Sequence, residues 1–468
     1  MYESEFRDYC KYLRQEQKDE KIQKTIDRQE NDYSLPLKTL NLVGIEPVKI
    51  KPYKNNNPDT HNKIMKIHKL IDNKRNIFIT GIAGTGKTYI LNELITYCYK
   101  KYATTATTGI AATYINGNTL HSFIKLPVNK HINTVLNDPE KVELIKAKLD
   151  KMDILIIDEI SMLHPHDLYN LDLIMQTVLE KSKPFGGKQL IVSGDFLQLP
   201  PVIKDKSINP YIFQNPIWLK AKFKILYFNK VYRQEDIEFK NALNMIRIGQ
   251  CNDKVDMIFK ERVNARLDTD TFTKFVSTNI EADKINNAEL DKINMEEINY
   301  QAKVKGKQFS YIKAIVRDCI ANEFLRLKIG AKVIVLINDS SGYYVNGSLG
   351  EITGFNNNKP VVKINKSGKE IIFDKFLWEK RELNTGESLA SFEQFPLKLA
   401  YAITIHKAQG LTLDFAEIDC GRIFTTGQLY VALSRVRNLE GLRLKNWNKN
   451  KIRADKVILN YYKKMGKI

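Results

Sequence analysis

Apolar and polar positions alternate differently in successive parts of the chain. Residues 1–33 are dense in charge and lack Gly and Pro, with Phe6, Cys10 and Leu13 at helical spacing, which predicts a charged N-terminal helix. Between 34 and 58, Pro36, Pro47, Pro52, Pro58 and Asn55-Asn56-Asn57 break every period and predict a linker. From 59 to 220, strand-length apolar runs alternate with segments whose apolar residues recur every three or four positions. That alternation predicts an α/β domain with a mostly parallel sheet. A polar, helix-prone insertion at about 124–150 interrupts it. A second α/β region runs over 221–337 and returns at 396–468, ending in a basic helix. Between them, over 338–395, short strands joined by Asn/Gly turns predict an inserted β-barrel.

The first domain opens with the apolar run 76–80, then GIAGTGKT, then an amphipathic segment. Strand, glycine-rich turn and helix are the context of a phosphate-binding loop. Gly81, Gly84 and Gly86 let backbone N–H groups converge on phosphate, beside Thr85 and at the positive end of a helix dipole. Lys87 reaches the β- and γ-phosphates, and the Thr88 hydroxyl suits Mg²⁺. The chain is therefore expected to bind a nucleoside triphosphate such as ATP. Such loops serve kinases, GTPases and motors alike, so the loop does not name the activity.

MDILIIDEISML ends its strand in Asp158-Glu159. Carboxylates at the C-terminal end of a parallel strand face the ligand crevice. Asp158 suits the metal, and Glu159 suits deprotonation of an attacking water; the pair could also simply cap the next helix. KQLIVSGDFLQLPPV ends a further strand in Gly194-Asp195, with Gln198 placed to sense a γ-phosphate. Two cations suit transition-state charge: Arg233 in VYRQED and Arg435 in QLYVALSRVRNL, read as an amphipathic helix with a polar Ser434-Arg435 edge. Taken singly, each arginine is better read as half of a surface ion pair; the surrounding motifs raise the pair above that.

The formal charge of +19 and pI near 9.4 suit a polyanionic partner, and equally an Asn/Lys-rich composition. The N-terminal 33 residues carry seven basic against nine acidic residues, which favours a solvated helix or a protein contact there over a nucleic-acid arm. Five widely spaced cysteines without CxxC or Cys/His clusters predict reduced thiols inside the cell and no structural zinc. No apolar run approaches membrane-span length, so no membrane partner is expected.

Together with TATTGIAATYINGNTLHSF, PFGGKQLI, VYRQEDIEFKNALNMIRIG, YVNGSLGEITGF, AITIHKAQGLTL and YVALSRV, these motifs resemble PIF-type (petite integration frequency) superfamily-one helicases, relatives of the RecD helicases. The resemblance runs from about residue 60 to the C-terminus. It implies two RecA-like domains with ATP between them, a small wedge insertion at 124–150 and the β-barrel insertion at 338–395. It implies that Lys87, Thr88, Asp158, Glu159 and Gln198 act as assigned above, that Arg233 and Arg435 are arginine fingers, and that Gln409 couples nucleotide to strand. It also implies 5′→3′ movement on single-stranded DNA. A monomer acting on fork or duplex DNA is the further expectation, with replication, recombination, repair and telomere maintenance all open as the process served. Thr107, Thr108, Gly109, Thr119, His121, Phe123, His406 and Lys407 would form the strand surface; His406 and Lys407 are read as beginning a helix. Phe123 fits a core role as well, and His121 a structural one. A motor on RNA or an RNA–DNA hybrid, a P-loop nucleotide kinase, and a non-catalytic strand binder remain rivals. One departure stands out. The helix THNKIMKIHKLIDNKRN lacks the Gln with which the family reads adenine; Asn62 is the nearest amide, so looser base selectivity is expected.

Overall fold

The structure, a computed structural model, describes residues 57–468 except 116, 127–130, 202–209, 270–271, 277, 338, 340–342, 345–347, 366 and 382–387. The expected N-terminal helix, nearly all of the linker, the tip of VNGSLG and part of LPVNKH lie outside the described residues.

The apolar runs build one six-stranded sheet from β1 (Ile77–Gly81), β2 (Tyr102–Ala106), β3 (Asn118–Thr119), β4 (Ile154–Asp158), β5 (Gln189–Ser193) and β6 (Lys224–Phe228). Its order is β3-β2-β4-β5-β1-β6 and every pairing is parallel. β1 and β4 are buried at every position, as strands covered on both faces must be. Alternate residues serve opposite faces. Ile77, Ile79, Ile154 and Ile156 meet Ile64, Ile67, Ile90 and Leu91 from the helices Pro58–Asp72 and Lys87–Tyr97. Phe78, Leu155, Ile157 and Val192 meet Leu168, Leu171 and Met175 of the helix Pro165–Leu179.

This sheet passes the boundary expected at 220, because β6 pairs with β1 along its whole length. The C-terminal helix Lys456–Lys464 also departs from expectation. Its Ile458 and Tyr462 are buried in the first-domain core, and the Tyr462 hydroxyl is 2.8 Å from Thr80 Oγ1 on β1. Strand pairing and core membership join residues far apart in sequence, and local pattern carries neither.

The second domain is a four-stranded parallel sheet in the order Ala402–Thr404, Thr273–Val276, Ala416–Asp419, Leu442–Asn446. Phe239, Ile246, Phe259, Phe275, Ile403 and Leu429 fill its core. The region between is antiparallel. Five strands pair in the order Glu370–Ile372, Lys359–Ile364, Leu349–Asn356, Lys332–Val335, Leu397–Leu399. A three-stranded sheet (Phe376–Arg381, Ser388–Gln394, Lys303–Gly306) and a two-stranded one (Ile298–Gln301, Phe324–Leu327) complete it. Among the described residues the expected barrel is thus a set of open antiparallel sheets. It begins at Ile298 rather than 338, because the early strands pair with much later ones. The insertion at 124–150 forms the helices Asn133–Leu136 and Pro139–Asp150, the latter capped by Asp138. Its Val135, Ile145 and Leu149 join the first-domain core.

Candidate nucleotide site and strand surface

The loops leaving β1, β4 and β5 converge because those strands are neighbours in the sheet. Gly84 and Gly86 have φ of 77° and 78°, a region closed to most side chains. A Cβ on Gly84 would also lie 2.7 Å from Arg233 Cβ, so glycine here admits the segment that leads into the second domain. The Lys87 ammonium donates to the carbonyls of Gly81 (2.9 Å) and Ile82 (3.1 Å). Burial lowers its pKa, and the carboxylates of Asp195, Glu159 and Asp158 oppose that shift.

Thr88 Oγ1 donates to Asp158 Oδ2 at 3.0 Å, and Asp158 Oδ1 accepts from Glu159 N at 2.9 Å. Burial raises the Asp158 pKa. Glu159 sits in the left-handed region at φ 53°, which turns it off the end of β4. Burial and the Asp158 charge push its carboxyl up to about 7, against the fields of Lys87 and Arg435. A carboxyl titrating there is matched to proton abstraction near neutral pH.

Gln198 is buried, and its Nε2 donates to Asp195 Oδ2 at 3.5 Å. Asp195 itself accepts Arg247 Nε (3.1 Å) and Nη2 (2.8 Å) in a fully buried pair. Burial raises the Asp195 pKa, but the guanidinium outweighs it and the net shift is downward. Sequence reading missed Arg247. Its signal is an arginine on the apolar stripe Phe239, Ala242, Leu243, Ile246 of the helix Ile237–Arg247. Tyr462 and Tyr430 were missed too; their hydroxyls donate to Asp195 Oδ1 (3.2 Å) and accept from Ala83 N (2.8 Å) respectively.

Arg233 Nε donates to Thr412 Oγ1 (2.9 Å) and its Nη1 to the Ser434 carbonyl (3.0 Å). Arg435 is 2% exposed and donates to Val431 O (2.9 Å) and Ser434 Oγ (2.8 Å). It therefore occupies no polar helix edge: the helix Gln428–Leu433 is buried at every residue and ends before Ser434. Burial lowers the pKa of both arginines, most strongly at Arg233, which also feels Arg435. Gln409 is buried, with Nε2 unpartnered among the described residues.

A cavity of about 390 Å³ is lined by Gly84, Thr85 and Gly86 of the phosphate loop, by Arg233, Thr412 and Arg437, and by Asn57, Thr60, Lys63 and Tyr232. Asn57, rather than the expected Asn62, is the amide in its lining; its Oδ1 caps the helix by accepting from Asp59 N at 3.1 Å.

The strand-surface residues divide. Thr107 Oγ1 donates to the Glu159 carbonyl at 2.8 Å, which ties TATTG to the site. Thr108 caps the helix Gly109–Tyr114, accepting from Ala111 N at 3.2 Å. Thr119 caps the turn Leu120–Phe123. His121 Nε2 lies 3.4 Å from Asp167 Oδ2, the structural alternative. Phe123 is 1% exposed in the first-domain core, so its ring is not available for base stacking. His406 and Lys407 lie in a hydrogen-bonded turn after Ala402–Thr404 and begin no helix. Burial lowers the His406 pKa. This turn abuts the first domain: a Cβ on Gly410 would meet Tyr114 Cε2 at 2.6 Å.

A P-loop beside a cavity that is also lined by Arg233 and, from a second parallel-sheet domain, by Arg437 defines a two-domain nucleoside-triphosphate-binding protein. Residues 57–257 match the PIF1-like helicase family. The ATP-dependent DNA helicase Pif1 of Psychrobacter sp. is 35% identical over 446 residues, covering 81% of this chain and 67% of the relative. The Xenopus laevis ATP-dependent DNA helicase PIF1 is 37% identical, covering 84% and 62%. The Bdellovibrio bacteriovorus ATP-dependent DNA helicase Pif1 is 32% identical, covering 84% and 89%. The crystal structure of Bacteroides sp. Pif1 in complex with ADP-AlF4 superimposes with a TM-score of 0.75 at 34% identity, over 86% of this chain and 97% of that one. The Candida albicans Pif1 helicase gives 0.71 at 28% identity, over 88% and 100%. The chain spans 67% and 62% of the length of the Psychrobacter and Xenopus relatives. It belongs to the PIF1-like helicase family, and its two parallel sheets are the RecA-like domains of that fold.

Proposed function

We propose that this chain is an ATP-driven DNA helicase that moves 5′→3′ along single-stranded DNA and unwinds duplex DNA. The observation that carries the reading is Arg233: it packs on Gly84 of the phosphate loop while its guanidinium holds Thr412 and Ser434 of the second domain. The phosphate loop is thereby joined to the second domain at Thr412, two residues beyond the TIHKAQG turn. Lys87 and the loop N–H groups hold the triphosphate, Glu159 takes the proton from the attacking water, and Gln198 senses the γ-phosphate. Arg233 and Arg435 meet the charge that develops on transfer. Loss of the γ-phosphate releases their grip, so the domains part and the strand advances. The adjacent oxygens of Thr88 and Asp158 suit a hard cation: they would hold Mg²⁺, which supplies charge neutralisation at the phosphates.

Relatives named ATP-dependent DNA helicases, and a Bacteroides Pif1 structure described as bound to ssDNA, support this reading. With no Gln among the described residues lining the cavity beside Asn57, Thr60 and Tyr232, other nucleoside triphosphates are accepted alongside ATP. The deciding experiment is steady-state ATP hydrolysis with and without single-stranded DNA, at low and high salt, with Lys87→Ala as control. Strong stimulation by DNA that fades with salt is expected. Hydrolysis indifferent to nucleic acid would end the motor reading, and stronger stimulation by RNA would move the substrate to RNA or an RNA–DNA hybrid.

A further inference from the structure

The strand Leu397–Leu399 pairs antiparallel with Lys332–Val335 at one edge of the inserted sheet. Leu397 and Leu399 are buried in the core of that sheet. Lys398, between them, belongs to the opposite face. Its register partner there is Ile334, which packs with Ala400, Ile403 and Ile405 in the second-domain core. The Lys398 ammonium therefore enters the seam between inserted sheet and second domain, within reach of the charge of Lys407 from the TIHKAQG turn. The charged groups that act on it are Lys407 and, from the helix Asn279–Asp291, Asp283. Burial and the second ammonium bring the Lys398 pKa down to about 8. Two half-buried ammoniums side by side repel, and packing alone would be better served by an aliphatic residue. A phosphodiester between them relieves the repulsion and satisfies both donors.

We propose that Lys398 and Lys407 form a two-lysine clasp for one backbone phosphate of the bound strand, with Lys398 a binding residue that the motif-based assignment does not contain. The proposal rests on the strand-binding reading above. Phosphate binding favours the charged form of Lys398, so the clasp takes up a proton as it closes. Affinity for the strand therefore falls as pH rises from about 7 to 9.

The test is binding of a fluorescent oligothymidylate to the full chain over a salt series at pH 7 and pH 9, for wild type, Lys398→Met and Lys398→Arg. Met keeps the stem that packs in the seam and removes the charge. One lost single-strand phosphate contact flattens the log–log salt slope by about 0.7, or about fivefold in affinity at 0.1 M salt. Lys398→Met is expected to show that flattening and to lose the pH dependence. Lys398→Arg should retain the slope while also losing the pH dependence, since Arg stays charged. An unchanged slope in Lys398→Met, or weaker binding at an unchanged slope, overturns the clasp while the strand-binding reading stands. Failure of the wild type to bind the oligonucleotide in a salt-dependent way overturns both.

Discussion

Replacing Arg247 with Met tests the buried frame around Gln198, the proposed γ-phosphate sensor. Arg247 is 2% exposed and Asp195 0%, joined by two hydrogen bonds of 3.1 and 2.8 Å. Met preserves most of the stem and leaves little cavity, so the loss is electrostatic. Among the described residues the Asp195 carboxylate keeps the Tyr462 hydroxyl and the Leu197 N–H, each at 3.2 Å, Gln198 at 3.5 Å, and the field of Lys87. Removing one partner of a buried pair costs about 3–5 kcal/mol, a large share of a domain stability of about 5–15 kcal/mol. The sign with pH follows. In the wild type the folded Asp195 pKa lies below its ordinary value. Its contribution is therefore complete above the unfolded value of about 3.9 and is lost as pH falls through the lower folded value. In Arg247→Met burial acts unopposed by the guanidinium and drives that pKa up. Protonation then removes the unpaired charge, and the deficit should narrow between pH 7 and about pH 5. Denaturant titrations of both proteins at the two pH values read this, using the first transition because two domains need not unfold together. Arg247→Met/Asp195→Asn should recover more than half of the loss. A cost under about 1 kcal/mol at pH 7, or a deficit equal at both pH values, refutes the reasoning.

Glu159→Gln should retain ATP binding while turnover falls about 10²- to 10⁴-fold. Because a base works deprotonated and the Glu159 carboxyl titrates at about 7, wild-type kcat/KM for ATP should climb between pH 6 and 8; a flat profile argues against Glu159 as the base. Arg233→Ala should cut turnover by about 10³ or more, read by DNA-stimulated ATPase, and near-normal turnover would remove it from the site. Phe123→Ala should cost about 3–5 kcal/mol in thermal or denaturant stability and leave the DNA affinity of the folded variant unchanged. Weaker DNA binding without a stability loss would restore its ring as a stacking surface.

Much of the candidate nucleotide site could be placed from sequence because its parts are local. Gly84, Gly86, Lys87 and Thr88 follow one strand directly, and Asp158-Glu159 end another, so type and spacing reveal them. The strand-surface assignments fared unevenly for the complementary reason. Phe123 and Thr107 lie in motifs of the right kind, yet one ring is buried in the core and one hydroxyl is spent on the Glu159 carbonyl. Side-chain direction depends on what packs opposite, which spacing does not encode. Arg247 shows the reverse case: on its own helix it reads as a misplaced charge, and only Asp195, 52 positions away, explains it.

By itself the sequence determined the phosphate loop, the acidic strand end, the α/β order of the first domain and the inserted antiparallel region, because short-range periodicity and turn chemistry encode each of them. Only the tertiary structure decided that β6 completes the first sheet, that Tyr462 returns from the C-terminus to Thr80 and Asp195, and that Arg233 sits against Gly84. It also decided that Lys398 faces the seam where the charge of Lys407 acts on it. These are contacts between distant segments, fixed by how apolar faces bury together and by which charges that burial forces side by side.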